Sequence, residues 1–166
     1  MAGAQVFTEL LREGRVRKRY LALLQGRLEK EASWEDLIAR DEERRVSGLS
    51  PEGSPALALA RPLVLGPSST LALIELKTGL THQIRVQASS RGLPLEGDVK
   101  YGGRRSESGY LLHAWLLDFA EPPFDDIPCR VTAALPAEAR SRLASLFGDE
   151  AVEEALELEL EVQASF

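Results

Sequence analysis

The chain has 166 residues, 44% hydrophobic and 28% charged, the balance of one ordinary folded domain rather than a disordered or fibrous chain. One cysteine, Cys129, excludes an internal disulfide framework and fits a reducing compartment, and with only two histidines beside it a structural zinc site is not expected. No apolar run has transmembrane length, nothing resembles a signal peptide, and a net charge of −6 argues against a generic nucleic-acid-binding protein.

Residues 4–13 set Val6, Phe7, Leu10 and Leu11 on one helical stripe, and Gly14 supplies a stop. Residues 15–24 read as a strand, basic in its first half and apolar in its second, with Tyr20 at the junction. A strand tyrosine is commonly a half-buried core aromatic with its hydroxyl at the surface, and that reading stands beside any functional one. Gly26 to Gly53 is polar and acidic, anchored by Trp34, Leu37 and Ile38, and reads as an extended connection with a short strand near Trp34. Residues 50–55 form a turn cluster, and 56–65 a strand whose Pro62 implies an edge position or a bulge. Residues 66–69 form a hairpin turn into the next strand, at 70–77.

Thr78-Gly79 breaks that strand, and Thr81 is the expected N-cap of a helix at about 81–91 carrying Ile84, Val86 and Ala88. Position 84 is neither Glu nor Gln, so the capping box is incomplete. A strand-turn-helix of this kind offers free N–H groups to an anion, with Arg85 close by, although a solvated surface arginine would read the same way. Residues 92–103 are a glycine-rich loop without a Walker or dinucleotide pattern. A strand at 109–119 contains His113 and Trp115, a short strand follows at 129–132, and a helix at about 136–147 ends at Gly148. The alternation of residues 156–162 predicts a strand with one acidic face, against the helix preference of glutamate. The expected class is α+β, a mainly antiparallel sheet with packed helices, in one unit over 1–148 with an extension at 149–166.

Charge is unevenly spread. Residues 1–30 hold seven Lys/Arg against three Asp/Glu, residues 77–105 hold six against two, and residues 106–166 hold three against thirteen. Two basic stretches could therefore face a polyanion, though charge alone equally describes solvated faces.

The string Thr78-Gly-Leu-Thr-His-Gln-Ile-Arg-Val86, followed by Gly92-Leu-Pro-Leu-Glu-Gly-Asp98 and Tyr101-Gly102, resembles the signature of the RluA-type RNA pseudouridine synthases. Arg17-Lys18-Arg19-Tyr20-Leu21-Ala22-Leu23 is similar to that family's basic strand with its active-site tyrosine, and 112–114 with 117–119 to its later strand. The likeness runs from about residue 4 to 147, with no counterpart for the tail. The family usually has Arg at Leu80 and His at Gln87. Its Arg-Leu-Asp motif, which carries the catalytic aspartate, lies ahead of the segment matching residues 4–20 and is expected to be absent from this chain. Asp36, Asp41 and Asp98 stand in no comparable context.

The resemblance implies conversion of uridine to pseudouridine in structured RNA, ribosomal or transfer, with no cofactor, no metal and no membrane partner, in the cytoplasm. It implies supporting catalytic roles for Tyr20 and Arg85. It places Arg15, Arg17, Lys18, Arg19, Thr81, His82, Gln83, Lys100 and Arg104 along the RNA, with Leu95 as an apolar pocket wall. Without the aspartate motif, Arg85 is expected to lack its carboxylate partner. The alternatives are a non-catalytic RNA-binding or regulatory remnant, and an interaction protein completed by a segment from another chain.

Overall fold

The apolar run at 70–76 becomes a strand buried on both faces, and the sheet is built outward from it. The computed structural model describes residues 2–124 and 126–162. In chain order they form α1 (Ala2–Arg12), β1 (Val16–Gln25), β2 (Ala32–Asp41), β3 (Val46–Leu49), β4 (Ser54–Leu65), β5 (Ser69–Leu76), α2 (Gln83–Ser90), β6 (Leu112–Phe119), β7 (Arg130–Thr132), α3 (Ala137–Phe147) and α4 (Asp149–Glu161), with a 3-10 turn at Val99–Tyr101 before β6. The seven strands make one sheet in the order β3-β2-β4-β5-β1-β6-β7, antiparallel at every pairing. The expected α+β class holds, as do the helices near 4–13, 81–91 and 136–147 and the strands near 15–24, 56–65, 70–77 and 109–119.

Alternation along the strands divides the core into two layers. Ala22, Leu24, Trp34, Ala58, Ala60 and Ile74 face α2, where Ile84, Ala88 and Leu95 close over them. Leu21, Leu23, Leu71, Leu73 and Leu116 face the other way, under Leu143 of α3 and Val152 of α4. Leu10 of α1 packs on Val16 and Phe119 at the end of β1 and β6, with the Phe7 and Phe119 rings edge to face at 6.2 Å.

Two expectations are corrected. Residues 26–53 are no mere connection: β2 is ten residues long and pairs along β4 from Ala32–Ala60 to Ile38–Ser54. The expected short strand near Trp34 is there, and its full length hides in the sequence because only one of its faces is buried. Trp34 and Ile38 point inward, while Ser33, Glu35 and Leu37 face solvent. The tail is a helix rather than a strand. A strand would put Leu156, Leu158 and Leu160 on one face. Instead Val152, Leu156 and Glu159 turn to the sheet at helical spacing, while Leu158 and Leu160 are exposed. Pro62 meets its constraint by both expected routes: β2 no longer pairs with β4 beyond Ala60, and a bulge falls between Pro62 and Val64.

Gly97 shapes the loop after α2. It sits at φ +97°, and a Cβ there would come 2.1 Å from the Gly109 carbonyl oxygen. Gly97→Ala is expected to cost roughly 2–4 kcal/mol, combining left-handed backbone strain with a clash against backbone that cannot swing aside. A urea melt checks it: a shift of the midpoint worth under 1 kcal/mol would show that the loop adapts.

Candidate functional site

The sharp turn between β5 and α2 is organised by Gln83. Its Oε1 accepts from the Thr78 hydroxyl at 2.9 Å and the Leu80 N–H at 3.1 Å, and its Nε2 donates to the Leu57 carbonyl at 3.1 Å. Thr81 is not the N-cap. His82 occupies that position in the left-handed region, φ 59°, and makes no side-chain cap, because Gln83 already ties the turn. Thr81 is exposed, and its carbonyl accepts the Ser47 hydroxyl at 2.8 Å.

Burial of α2 carries Arg85 inward. Its Nε and Nη2 each donate to one oxygen of Asp98, both at 2.6 Å. Arg85 is 8% exposed and Asp98 1%. The guanidinium carbon lies 4.5 Å from the ring centre of Tyr101 and 4.6 Å from that of Tyr110, so two aromatic faces flank the cation. The Asp98 bonds raise the proton affinity of Arg85 above its already high value. The expectation that Arg85 lacks a carboxylate partner is thereby corrected: the Gly97-Asp98 turn folds back under α2 and supplies one.

Tyr101 links this pair to His82. Its hydroxyl accepts the Ser47 N–H at 2.9 Å and lies 2.8 Å from His82 Nδ1. A phenol that accepts from a backbone amide still has its own hydrogen to give, so the contact suits a neutral His82 that accepts at Nδ1 and carries its hydrogen on Nε2. Desolvation first, then the charges of Arg85, Lys100 and Arg40, lower the pKa of His82 from its ordinary 6.5, with Asp98 opposing. The unfolded chain therefore takes up a proton that the folded chain resists. The contribution of His82 to stability is whole above the ordinary value and declines as the pH falls below it. His82→Gln is expected to remove that part of the decline between pH 7.5 and 5.5, read from urea melts. An NMR titration of the His82 ring showing an apparent pKa above the ordinary value would contradict the assignment.

The remaining residues singled out in the sequence separate by sheet face. Lys18 and Tyr20 share the α2 side with Ala22 and Leu24; Lys18 Nζ reaches the Thr78 carbonyl at 3.4 Å, and burial lowers its pKa. Tyr20 is half-buried against the core under α2. Arg19 points to the opposite face and is buried 3.5 Å from both Glu75 and Asp118, with Arg17 Nε 3.8 Å from Glu75. Arg15 is bound to Glu13 and Glu121 at the end of α1. Leu95 and Gln83 are almost fully enclosed, one in the core and one in the turn. Lys100 is exposed and donates to the Arg45 carbonyl at 2.6 Å; Arg104 is exposed, its backbone N–H donating to Gln25 at 2.9 Å and its carbonyl accepting the Gly97 N–H at 2.9 Å. The basic strand at 15–19 thus spends three of its four cations on ion pairs away from Arg85, while Lys18, Lys100 and Arg104 meet no carboxylate among the described residues.

Three aspartates weighed in the sequence are all engaged. Asp98 holds Arg85; Asp36 accepts from Arg91 and from Gln87, each at 2.8 Å; Asp41 accepts the Arg44 N–H at 2.9 Å in the β2–β3 turn. The sequence placed Asp98 and Tyr101 in the motif without a role beside Arg85, and it did not single out Tyr110 or Ser47 for the site. The signal for Asp98 and Tyr101 was their place in the glycine-rich loop of residues 92–103.

A family model described as RNA pseudouridylate synthase matches residues 2–90. A Chloroflexus aurantiacus protein described as an uncharacterized RNA pseudouridine synthase is 37% identical over 136 residues, covering 80% of this chain and 43% of that protein. A Nitrosomonas europaea protein named ribosomal large subunit pseudouridine synthase D is 36% identical over 123 residues, covering 68% of this chain and 36% of its own length. The chain therefore spans less than half the length of these curated relatives. The solved structure titled human RNA pseudouridylate synthase domain containing 1 superposes with a TM-score of 0.71 at 24% identity, over 99% of this chain and 74% of that one, a likeness of fold.

Proposed function

The chain belongs to the RNA pseudouridylate synthase family, and from that premise we propose that it is a uridine-to-pseudouridine isomerase domain acting on structured RNA, completed by a carboxylate from outside the described residues. The observation that carries the reading is Arg85, a buried cation fixed by Asp98 and flanked by two tyrosine rings on the face that also bears Tyr20. The reaction breaks the N-glycosidic bond of uridine, turns the uracil and rejoins it through carbon. Of the five N–H donors of a guanidinium, two go to Asp98, which leaves three for a further carboxylate or for a substrate oxygen. Tyr20 supplies an aromatic face for the extruded base. Lys18, Thr81, His82, Lys100 and Arg104 are the groups positioned to meet phosphate, His82 through its Nε2–H.

Ribosomal or transfer RNA is the proposed substrate, and large-subunit RNA is the first to examine, given the name of the Nitrosomonas relative. No helix among the described residues is long and apolar enough to cross a membrane. The single cysteine is in keeping with a cytoplasmic setting.

The test is a map of pseudouridines in cellular RNA with the gene intact and with the codons for Arg85 and Tyr20 changed to alanine and phenylalanine. One or a few sites should disappear. An unchanged map would favour the second reading, a non-catalytic RNA-binding domain. That reading has its own observation: each of Asp36, Asp41 and Asp98 is already engaged.

A further inference from the structure

Tyr110 is 43% exposed, although its ring lies against the Arg85 guanidinium. Beside it is a cavity of about 210 Å³, lined among others by Tyr110, Leu112, His113, Pro136, Ala139 and Arg142. The cavity lies where β7 pairs with β6 only at Leu116–Asp118, the Ala133 N–H extends this to the Trp115 carbonyl, and among the described residues no strand pairs with the start of β6 on that side, with α3 beginning just beyond. Its walls are set in place. Arg142 donates to the Gly109 carbonyl at 2.8 Å and to Glu96 at 3.0 Å, clamping the loop that presents Tyr110. His113 Nε2 lies 2.9 Å from the Ala133 carbonyl. A carbonyl only accepts, so Nε2 carries a hydrogen, and in the neutral ring Nδ1 is left as an acceptor.

We propose that this cavity receives one unpaired nucleobase of the RNA, stacked on Tyr110 and read by His113 Nδ1. The inference rests on the isomerase-domain reading for its ligand class and adds a second base site to it. Three properties fit a base. The volume suits a single flat heterocycle and not a duplex. An exposed aromatic face beside apolar Leu112, Pro136 and Ala139 suits stacking, which is how single-stranded bases are held. The acceptor on His113 and the rim groups of Ser108, Glu138 and Arg142 suit the polar edge of a base. Tyr110 then has two duties, its ring against Arg85 and its exposed surface against the bound base, so filling the cavity couples to the position of the cation.

The test is an NMR titration of the whole chain with UMP and with AMP, following the His113 ring, the Tyr110 ring and the Arg85 Nε–H. Signals of His113 and Tyr110 should shift on addition of nucleotide. Tyr110→Phe should keep the shift, and Tyr110→Ala should weaken binding by about 5- to 150-fold, the range of one base–aromatic stack. Because Tyr110→Ala also uncovers Arg85, Ala139→Leu is the second variant: it fills the cavity and leaves Tyr110 in place. It should abolish the His113 shift while the Arg85 Nε–H stays where it was. Nucleotide shifts that avoid His113, or that survive Ala139→Leu, would overturn the proposal. A cavity that binds bases beside an unchanged pseudouridine map would instead sink the isomerase reading and leave the base site standing.

Discussion

Replacing Asp98 with alanine is expected to destabilise the domain by about 3–5 kcal/mol, the cost of leaving a buried charge without its partner. Arg85 cannot shed its proton, and only about a tenth of its side chain is exposed where it lies between Tyr101 and Tyr110. Its two bonds to Asp98 are charge-assisted and parallel, the geometry in which a guanidinium gains most. The surface pair Arg12–Glu9, 3.6 Å apart and well exposed, makes the contrast: removing it should cost under about 1 kcal/mol. The double variant Arg85→Met with Asp98→Leu should regain most of the lost stability, since apolar groups of similar size need no compensation. Urea melts of the two single variants and the double close the cycle. A single Asp98→Ala variant within 1 kcal/mol of the parent would mean that water or another carboxylate takes over, and would remove Asp98 from the account of the site.

The polypeptide of residues 1–166, assayed alone, is expected to bind RNA in a salt-dependent way and to form no pseudouridine at an enzymatic rate. Binding follows from the free cations on the α2 side, and it should weaken with salt because each phosphate contact releases a counterion. The net charge of −6 keeps it weak. The absence of turnover follows from the carboxylates. Asp98 is spent on Arg85, Asp36 on Arg91 and Gln87, and Asp118 lies on the opposite face with Arg19 and Arg130. None can approach a base stacked on Tyr20 without breaking a bond that the fold uses. A mass-labelled assay on uridine-containing RNA decides it. Turnover by this polypeptide that is lost on replacing Asp36, Asp41 or Asp98 would identify the acting residue and refute the argument.

Much of the fold was legible because its strands are buried on both faces or alternate cleanly. Residues 70–76 and 15–24 are of this kind. β2 was legible only as a short strand near Trp34, because Glu35 and Leu37 face solvent and mask how far the stripe of Trp34 and Ile38 extends. α4 misled because Leu-Glu alternation satisfies a period of two as well as a helix whose Leu156 and Glu159 face inward. At the site, the motif located Arg85 and Tyr20, yet spacing could not show that thirteen residues on, Asp98 would return to Arg85. Nor could it show that the neighbours Arg19 and Tyr20 point to opposite faces, so that one joins an ion network and the other the α2 side. That division is a matter of strand parity and sheet order, which local sequence does not state.

The sheet order also governs how the chain can form during synthesis. β1 emerges early, but its partners are β5 and β6, paired as Lys18 with Leu76 and Val16 with Phe119. The adjoining hairpins β2–β3 and β4–β5 close locally as soon as they are made. Leu21 to Leu24, fully enclosed in the finished sheet, must meanwhile wait as an unpaired apolar strand until the ribosome has passed β5. The strand that carries Tyr20 is thus the last central piece to be secured, and the nascent chain is most in need of protection from aggregation before residue 76 has emerged.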